Sequence, residues 1–277
     1  FFRIADEVVD GNQGLSDAEK RERLEHIRDA ALGTAEADEP VVDAFAELRV
    51  EHDIPDQEID VFIDAMLADI DTDRYETYED LEGYMRGSAA AVGHMMTALM
   101  DPEDREAATP HAGKLGEAFQ LTNFIRDVRE DIRELDRVYL PMETLDAYDV
   151  TVDQLREERC TEAFRQAVQA EVRRAEQLYR QGVAGIEHLP KDCQFAVLLA
   201  ATLYAEHHRL IRKQDFDVLS TRPSLSTTRK LWVVSKTYWN WRRFEDPVTV
   251  FRRVSPVPEA DGATPDADET PHAFYPE

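Results

Sequence analysis

This sequence predicts an all-α protein folded as a single helical domain, and three observations carry that prediction. Polar and apolar residues recur at helical spacing along nearly the whole chain, most plainly in the stretch LGEAFQLTNFIRDVREDIRELDRVYLP at 115–141. Helix-start patterns of the capping-box type stand at Ser16-x-x-Glu19 and Thr151-x-x-Gln154. No segment alternates as a half-buried strand, no internal repeat appears, and no G-x-G-x-x-G or other glycine-rich phosphate loop is present. At 277 residues, one domain of this kind can bury a sizeable core.

The elements follow in order. A first helix over 1–10 carries FFRIADEVVD, with Gly11 as its stop. The Ser16 capping box opens a helix over 16–32, and Pro40 suits the early turn of one over 39–52. Helical patterning continues over 56–69, 77–99 and 103–134. It resumes over 161–186 and 190–214, where the apolar run 195–204 reads as a core helix. A last helix is predicted over 226–243. From about Ser255 the chain turns rich in Pro, Asp, Ala and Glu with little to bury, which predicts a disordered tail over 255–277 after a helical domain of 1–254.

Chemistry concentrates in the 103–134 helix. Gln120, Asn123, Asp127 and Asp131 are three, four and four residues apart, so all four project from one face. Leu121, Phe124, Ile125 and Val128 fill the other sides. Two carboxylates one turn apart repel unless a cation lies between them. Two amides and two carboxylates on one stripe therefore read as an oxygen-rich cradle for a hard divalent cation. A solvated acidic face is the usual explanation of an Asp-x-x-x-Asp in an acidic chain, but the apolar neighbours and a second copy of the device favour the cradle. That copy is Asp6 and Asp10, four apart among Phe1, Phe2, Ile4, Ala5, Val8 and Val9. Each pair has an arginine beside it, Arg3 and Arg126. Paired carboxylates with a planar guanidinium suit a ligand of dense negative charge held through metal ions, and diphosphate fits.

These residues resemble the phytoene synthase/squalene synthase family of head-to-head prenyl synthases. The resemblance lies in Asp6-Glu7-Val8-Val9-Asp10 and in Asp127-Val128-Arg129-Glu130-Asp131 within AFQLTNFIRDVRED and RVYLP. It extends to Asp73-Arg74-Tyr75-Glu76-Thr77, Tyr84 and Val92-Gly93, and to Tyr204 with FDVLSTR ending at Arg222. It spans residue 1 to about 245. It implies an isoprenoid-synthase-type helical bundle around a central cavity. It further implies Mg²⁺, or Mn²⁺ in its place, held by Asp6, Asp10, Asn123, Asp127, Glu130 and Asp131. Arg3, Gln120, Asn123, Arg126, Arg137, Tyr139 and Arg222 would contact the diphosphates, with Arg137 and Tyr139 on a flap. Tyr84 and Tyr204 would face the allylic cation with electron-rich rings; as ordinary core tyrosines they would need no such role. Glu130 reads equally as a surface glutamate, and each arginine could instead pair with a nearby carboxylate.

The reaction so implied joins two geranylgeranyl diphosphates through a cyclopropyl diphosphate to phytoene, a step of carotenoid biosynthesis, without NADPH. Squalene or dehydrosqualene formation from farnesyl diphosphate is the alternative, and DEVVD with DVRED and DRVYLP is closest to phytoene synthases. Where the family usually reads Val-Ala-Gly-Thr-Val-Gly along its prenyl tunnel, this chain has Ser88-Ala89-Ala90-Ala91-Val92-Gly93. The chain also opens inside the first motif's helix, so the family's N-terminal serine and aromatic contacts are expected to precede it.

Composition sets further bounds. Net charge is −26, from 58 acidic against 32 basic residues, which argues against nucleic-acid binding. The acid is spread along the chain, as suits a high-salt cytoplasm; near 1 M salt the Debye length is about 3 Å and self-repulsion is screened. Cys160 and Cys193 lie 33 positions apart and suggest a reducing compartment with neither disulfide nor zinc. No apolar run approaches the ~20 residues of a membrane span, and the expected location is cytoplasmic. A membrane surface is nevertheless a plausible docking place, because 231–244 gathers Trp232, Tyr238, Trp239 and Trp241 beside Lys230, Lys236, Arg242 and Arg243; a helix packed on the core is the competing explanation. His94, His207 and His208 lack partners at ligand spacing and read as structural.

Three rival readings fit the sequence less well, and the di-iron one fails. Head-to-tail prenyltransferases usually carry Asp-Asp-x-x-Asp, and neither motif here has adjacent aspartates. A di-iron bundle needs paired Glu-x-x-His, and Glu269-x-x-His272 alone matches, in the tail. A non-catalytic helical scaffold would leave the 120–131 stripe unexplained.

Overall fold

The computed structural model describes residues 1–11 and 14–259, apart from the side chain of Asp10. The stretch from 260 onward, most of the expected tail, lies outside the described residues. The architecture is helical, and among the described residues the sole β feature is one isolated parallel bridge between Arg74 and Val138. The helices are α1 (Phe2–Asp10), α2 (Asp17–Ala31), α3 (Pro40–Glu51), α4 (Asp56–Ala68), α5 (Tyr78–Met85), α6 (Ala91–Met100), α7 (Arg105–Glu130), α8 (Met142–Ala147), α9 (Val152–Arg156), α10 (Glu162–Ala184), α11 (Lys191–Lys213), α12 (Thr227–Phe244) and α13 (Pro247–Val254).

The starts follow local chemistry. Ser16 and Thr151 form the expected capping boxes, and Thr77 forms a third with Asp80. Side-chain oxygens of Asp104, Thr161, Ser226 and Asp246 cap α7, α10, α12 and α13, each satisfying an amide that the helix leaves unpaired. Pro40 opens α3, and Gly11 follows the end of α1. The short helices α8 and α13 were not expected, and α9 was signalled only by its cap; five to eight residues are too few to show a period.

The axis of the fold is α7, 26 residues and about 39 Å long. It packs against α6, α10 and α11. Its Leu121, Phe124, Ile125 and Val128 enter a core shared with Phe164, Val168, Val172 and Tyr179 of α10. A second core joins Ala5 and Val8 of α1 to Leu24, Ile27, Ile59, Ile63 and Met95. This second core fixes the first aspartate motif relative to the rest of the bundle.

Two departures from regular helix bear on the site. The helix expected over 77–99 contains a π-helical turn, Arg86–Ala90, between α5 and α6. Backbone contacts pin it on both sides: a Cβ on Gly87 would lie 2.5 Å from Val61 O of α4, and a Cβ on Gly116 of α7 would lie 2.6 Å from Ala89 O. The second π-helical turn, Asp131–Leu135, ends the long helix. Beyond it, RVYLP runs beside the 73–77 block: Val138 N donates to Asp73 O at 3.0 Å, and Met142 N to Tyr75 O at 2.8 Å. At the other end, Val257 was expected in the tail but is buried, and Arg180 donates to Pro258 O at 3.1 Å.

Candidate active site

Gln120, Asn123, Asp127 and Asp131 of the α7 stripe reach one cavity of about 290 Å³. Asp6 enters it from α1, so both aspartate motifs face the same space. Tyr84, Phe124, Arg126, Tyr139 and Asp69 complete much of its wall. The side chain of Asp10 lies outside the described residues. Glu130 does not line this cavity, and its Oε2 is buried with no hydrogen-bond partner among the described residues.

Asp127 is held by two guanidinium groups. Arg126 donates from Nε at 2.7 Å, and Arg222 donates from Nε, also at 2.7 Å, to the same Oδ1. Hydrogen bonding to Asp127 pushes the Arg126 guanidinium still higher than its ordinary range, so it stays charged. Both arginines thus pair with the carboxylate in this structure. Arg3 is exposed, donates to Glu7 at 2.9 Å, and lines a small cavity of about 160 Å³ that shares Asp6, Tyr84 and Gln120 with the larger one.

Arg137 is buried and is not in the cavity wall. It donates to Asp69 Oδ2 at 3.0 Å and to the Asp69 carbonyl at 2.6 Å, while the Tyr139 hydroxyl lies 3.4 Å from both carboxylate oxygens. Asp69, only 4% exposed, therefore ties the RVYLP segment to the end of α4. Nothing in the sequence singled it out, since it sits in an acidic stretch that reads as surface. Tyr139 in turn stacks on Phe124 at 4.1 Å and lies 6.0 Å from Tyr84, giving the cavity an aromatic side.

Two further cavities adjoin. An apolar one of about 340 Å³ runs between α6, α7 and α11, lined by residues including Ala89, Val92, Met96, Leu115, Phe119 and Leu189. It shares the wall residue Val92 with the small Asp6 cavity. Tyr204 stacks on Phe119 at 4.5 Å but lines a separate space of about 440 Å³ with Arg126, His207, Arg222 and Lys230. The two predicted tyrosines therefore stand in different cavities, bridged by Arg126, which lines both the acidic cavity and that of Tyr204.

The histidines have partners inside the fold. His208 lies 3.0 Å from Thr122 Oγ1, which also meets the Tyr179 hydroxyl, and His94 lies 3.1 Å from Glu58. His207 Nδ1 lies 3.0 Å from Tyr204 O, and burial lowers its pKa to about 4, leaving the ring neutral at pH 7.

Among the described residues, no group of three or more histidine, cysteine, aspartate or glutamate side chains is placed to hold a metal ion by itself. The donors present suit a more open arrangement. Asn123 Oδ1 is buried with no hydrogen-bond partner among the described residues, one turn from Asp127 on the cavity face. Asp6, Asp127 and Asp131 add hard oxygens around the same space. Mg²⁺ takes such sites, using one or two carboxylates and completing its shell with ligand phosphate oxygens.

Comparison with known proteins gives one answer. A sequence profile described as squalene/phytoene synthase matches residues 1–229. The phytoene synthase of Thermus thermophilus is 33% identical over 244 residues, 85% of this chain and 79% of that protein. The 15-cis-phytoene synthase of Synechococcus elongatus is 33% identical over 248 residues, 83% of this chain and 78% of that protein. Among solved structures, a dehydrosqualene synthase in complex with ligand matches with TM-score 0.77 and 27% identity, covering 88% of this chain and 84% of its own. A squalene synthase from Alicyclobacillus acidocaldarius matches with TM-score 0.69 and 26% identity, covering 78% of this chain and 80% of its own. The chain belongs to the squalene/phytoene synthase family.

Proposed function

We propose that this prenyltransferase condenses two geranylgeranyl diphosphates head to head to phytoene. The observation that carries the reading is that three spaces adjoin through shared wall residues. An oxygen-lined cavity with Asp6, Asp127 and Asp131 shares Asp6, Tyr84 and Gln120 with a small cavity, and that cavity shares Val92 with an apolar one. A molecule with a doubly charged head and a hydrocarbon tail matches that sequence of environments. The phytoene synthases among the relatives support the choice of product.

Asp6, Asn123, Asp127 and Asp131 would hold Mg²⁺, with Asp10 completing the first motif; the bound metal supplies Lewis acidity that offsets charge on a departing diphosphate. Arg126 and Arg222 exchange Asp127 for phosphate oxygens when substrate arrives, since guanidinium binds either anion through the same planar fork. The first prenyl diphosphate ionises, its C1 adds across the C2–C3 double bond of the second, and a proton leaves to close the cyclopropyl diphosphate. That intermediate loses its own diphosphate, rearranges and gives up a second proton. Each half thus releases one diphosphate and one proton. Tyr84 presents its aromatic face to the cation, an interaction of about 0.5–2 kcal/mol, whereas Tyr204, in the neighbouring space, stacks on Phe119 of the apolar wall. Arg137 positions Tyr139 through Asp69, and Gln120 orients the substrate head.

The squalene-type alternative is favoured by one observation: two solved neighbours above 25% identity are a dehydrosqualene synthase and a squalene synthase. Incubating the protein and Mg²⁺ with geranylgeranyl or farnesyl diphosphate, with and without NADPH, and identifying the hydrocarbon separates these readings. Phytoene from the C20 substrate without NADPH supports the first; a C30 product alone removes it.

Substrate tails and product are apolar, and we assign α12 as the membrane-facing element. Leu231 and Trp239 are 62% and 71% exposed, Trp232 and Tyr238 somewhat less, with Arg229 and Lys236 over the Trp232 ring. Trp241, grouped with them in the sequence, instead packs toward Phe195 and the core. No helix among the described residues is long and apolar enough to cross a membrane. Trp232→Ala with Trp239→Ala should weaken partitioning onto liposomes; unchanged partitioning removes this assignment.

A further inference from the structure

Ser88 sits in the π-helical turn Arg86–Ala90, whose orientation is fixed by the close approach of α4 on one side and α7 on the other. Arg86 anchors the turn further by donating to both oxygens of the buried Glu58 at 2.8 Å. Thus held, Ser88 faces the small cavity together with Arg3, Asp6, Tyr84, Val92 and Gln120. Its Oγ is buried and has no hydrogen-bond partner among the described residues. Other buried hydroxyls on helices among the described residues have partners. Thr97, Thr122 and Thr237 each donate back to the carbonyl four residues earlier, at 2.8, 2.7 and 2.8 Å. A buried hydroxyl left without a partner costs free energy unless a ligand or water supplies one.

The position of this hydroxyl narrows what that partner is. The cavity shares Asp6, Tyr84 and Gln120 with the polar space and Val92 with the apolar one. A ligand atom beside Ser88 lies where an anionic head gives way to a hydrocarbon tail. We propose that Ser88 Oγ donates a hydrogen bond to a head-group oxygen of a prenyl diphosphate seated across this junction, making Ser88 a substrate-positioning residue. The proposal rests on the prenyl diphosphate reading above.

The test measures binding of a non-ionising prenyl thiodiphosphate, and separately of inorganic diphosphate, each with Mg²⁺. Ser88→Ala should weaken thiodiphosphate binding about tenfold, while Ser88→Thr, which keeps the hydroxyl, stays near the parent. Inorganic diphosphate, lacking a tail to seat it at the junction, should change by less than about twofold. The thermal midpoint of the ligand-free Ser88→Ala protein should be unchanged or higher, because an unsatisfied group has been removed. Unchanged thiodiphosphate affinity in Ser88→Ala overturns the role, and so does an equal loss for inorganic diphosphate. Failure of the parent protein itself to bind the thiodiphosphate removes the underlying reading and Ser88's role with it.

Discussion

Arg222 Nε donates to Asp127 Oδ1 at 2.7 Å, across 95 positions of sequence. The contact joins the segment after α11 to the second aspartate motif. Arg222 is largely exposed, so the pair itself stabilises the fold by less than about 1 kcal/mol. Arg222→Lys should therefore leave the urea midpoint nearly unchanged, yet lower kcat/KM on the order of tenfold through the lost planar fork. Unaltered kinetics would confine Arg222 to the ion pair.

Asp127→Ala and Asp6→Ala should each reduce Mg²⁺-dependent turnover by more than about 100-fold. Helicity by circular dichroism should remain close to the parent's, because neither side chain belongs to the apolar core. Retained turnover in both variants would remove the proposed metal roles.

Asp69→Ala tests the anchor under RVYLP. It leaves the buried Arg137 guanidinium without its carboxylate, a loss of about 3–5 kcal/mol. A urea-denaturation midpoint within error of the parent would show that Arg137 finds another partner. Turnover should fall as well, since Tyr139 stacks on Phe124 in the cavity wall.

Burial lowers the pKa of His207 from its ordinary 6.5 to about 4. Between those values the unfolded chain binds the proton more readily than the folded one, so stability falls as pH drops through that window and levels off below it. His207→Gln should flatten this part of the stability profile, read as thermal midpoint against pH. An identical slope in the variant would assign the acid sensitivity elsewhere.

Net charge of −26 predicts dependence on salt. Moving the protein from molar salt to dilute buffer should broaden and lower its thermal transition, as screened carboxylates begin to repel. Cooperative unfolding at the same midpoint in both conditions would contradict a salt-adapted fold.

The sequence by itself determined the helices that are long enough to show a period, the caps at Ser16 and Thr151, and the face of α7 that carries Gln120, Asn123, Asp127 and Asp131. These are local properties, set by side chains within one or two turns of each other. The tertiary structure decided what depends on distant contacts. It turned Asp69 from one acid among many into the buried anchor of Arg137, placed Tyr204 in a different cavity from Tyr84, and turned Trp241 inward while leaving Trp239 exposed. It also opened the π-helical turn that sets Ser88 in the wall of the small Asp6 cavity, because close backbone packing at Gly87 and Gly116 is a relation between helices that no single helix's periodicity contains.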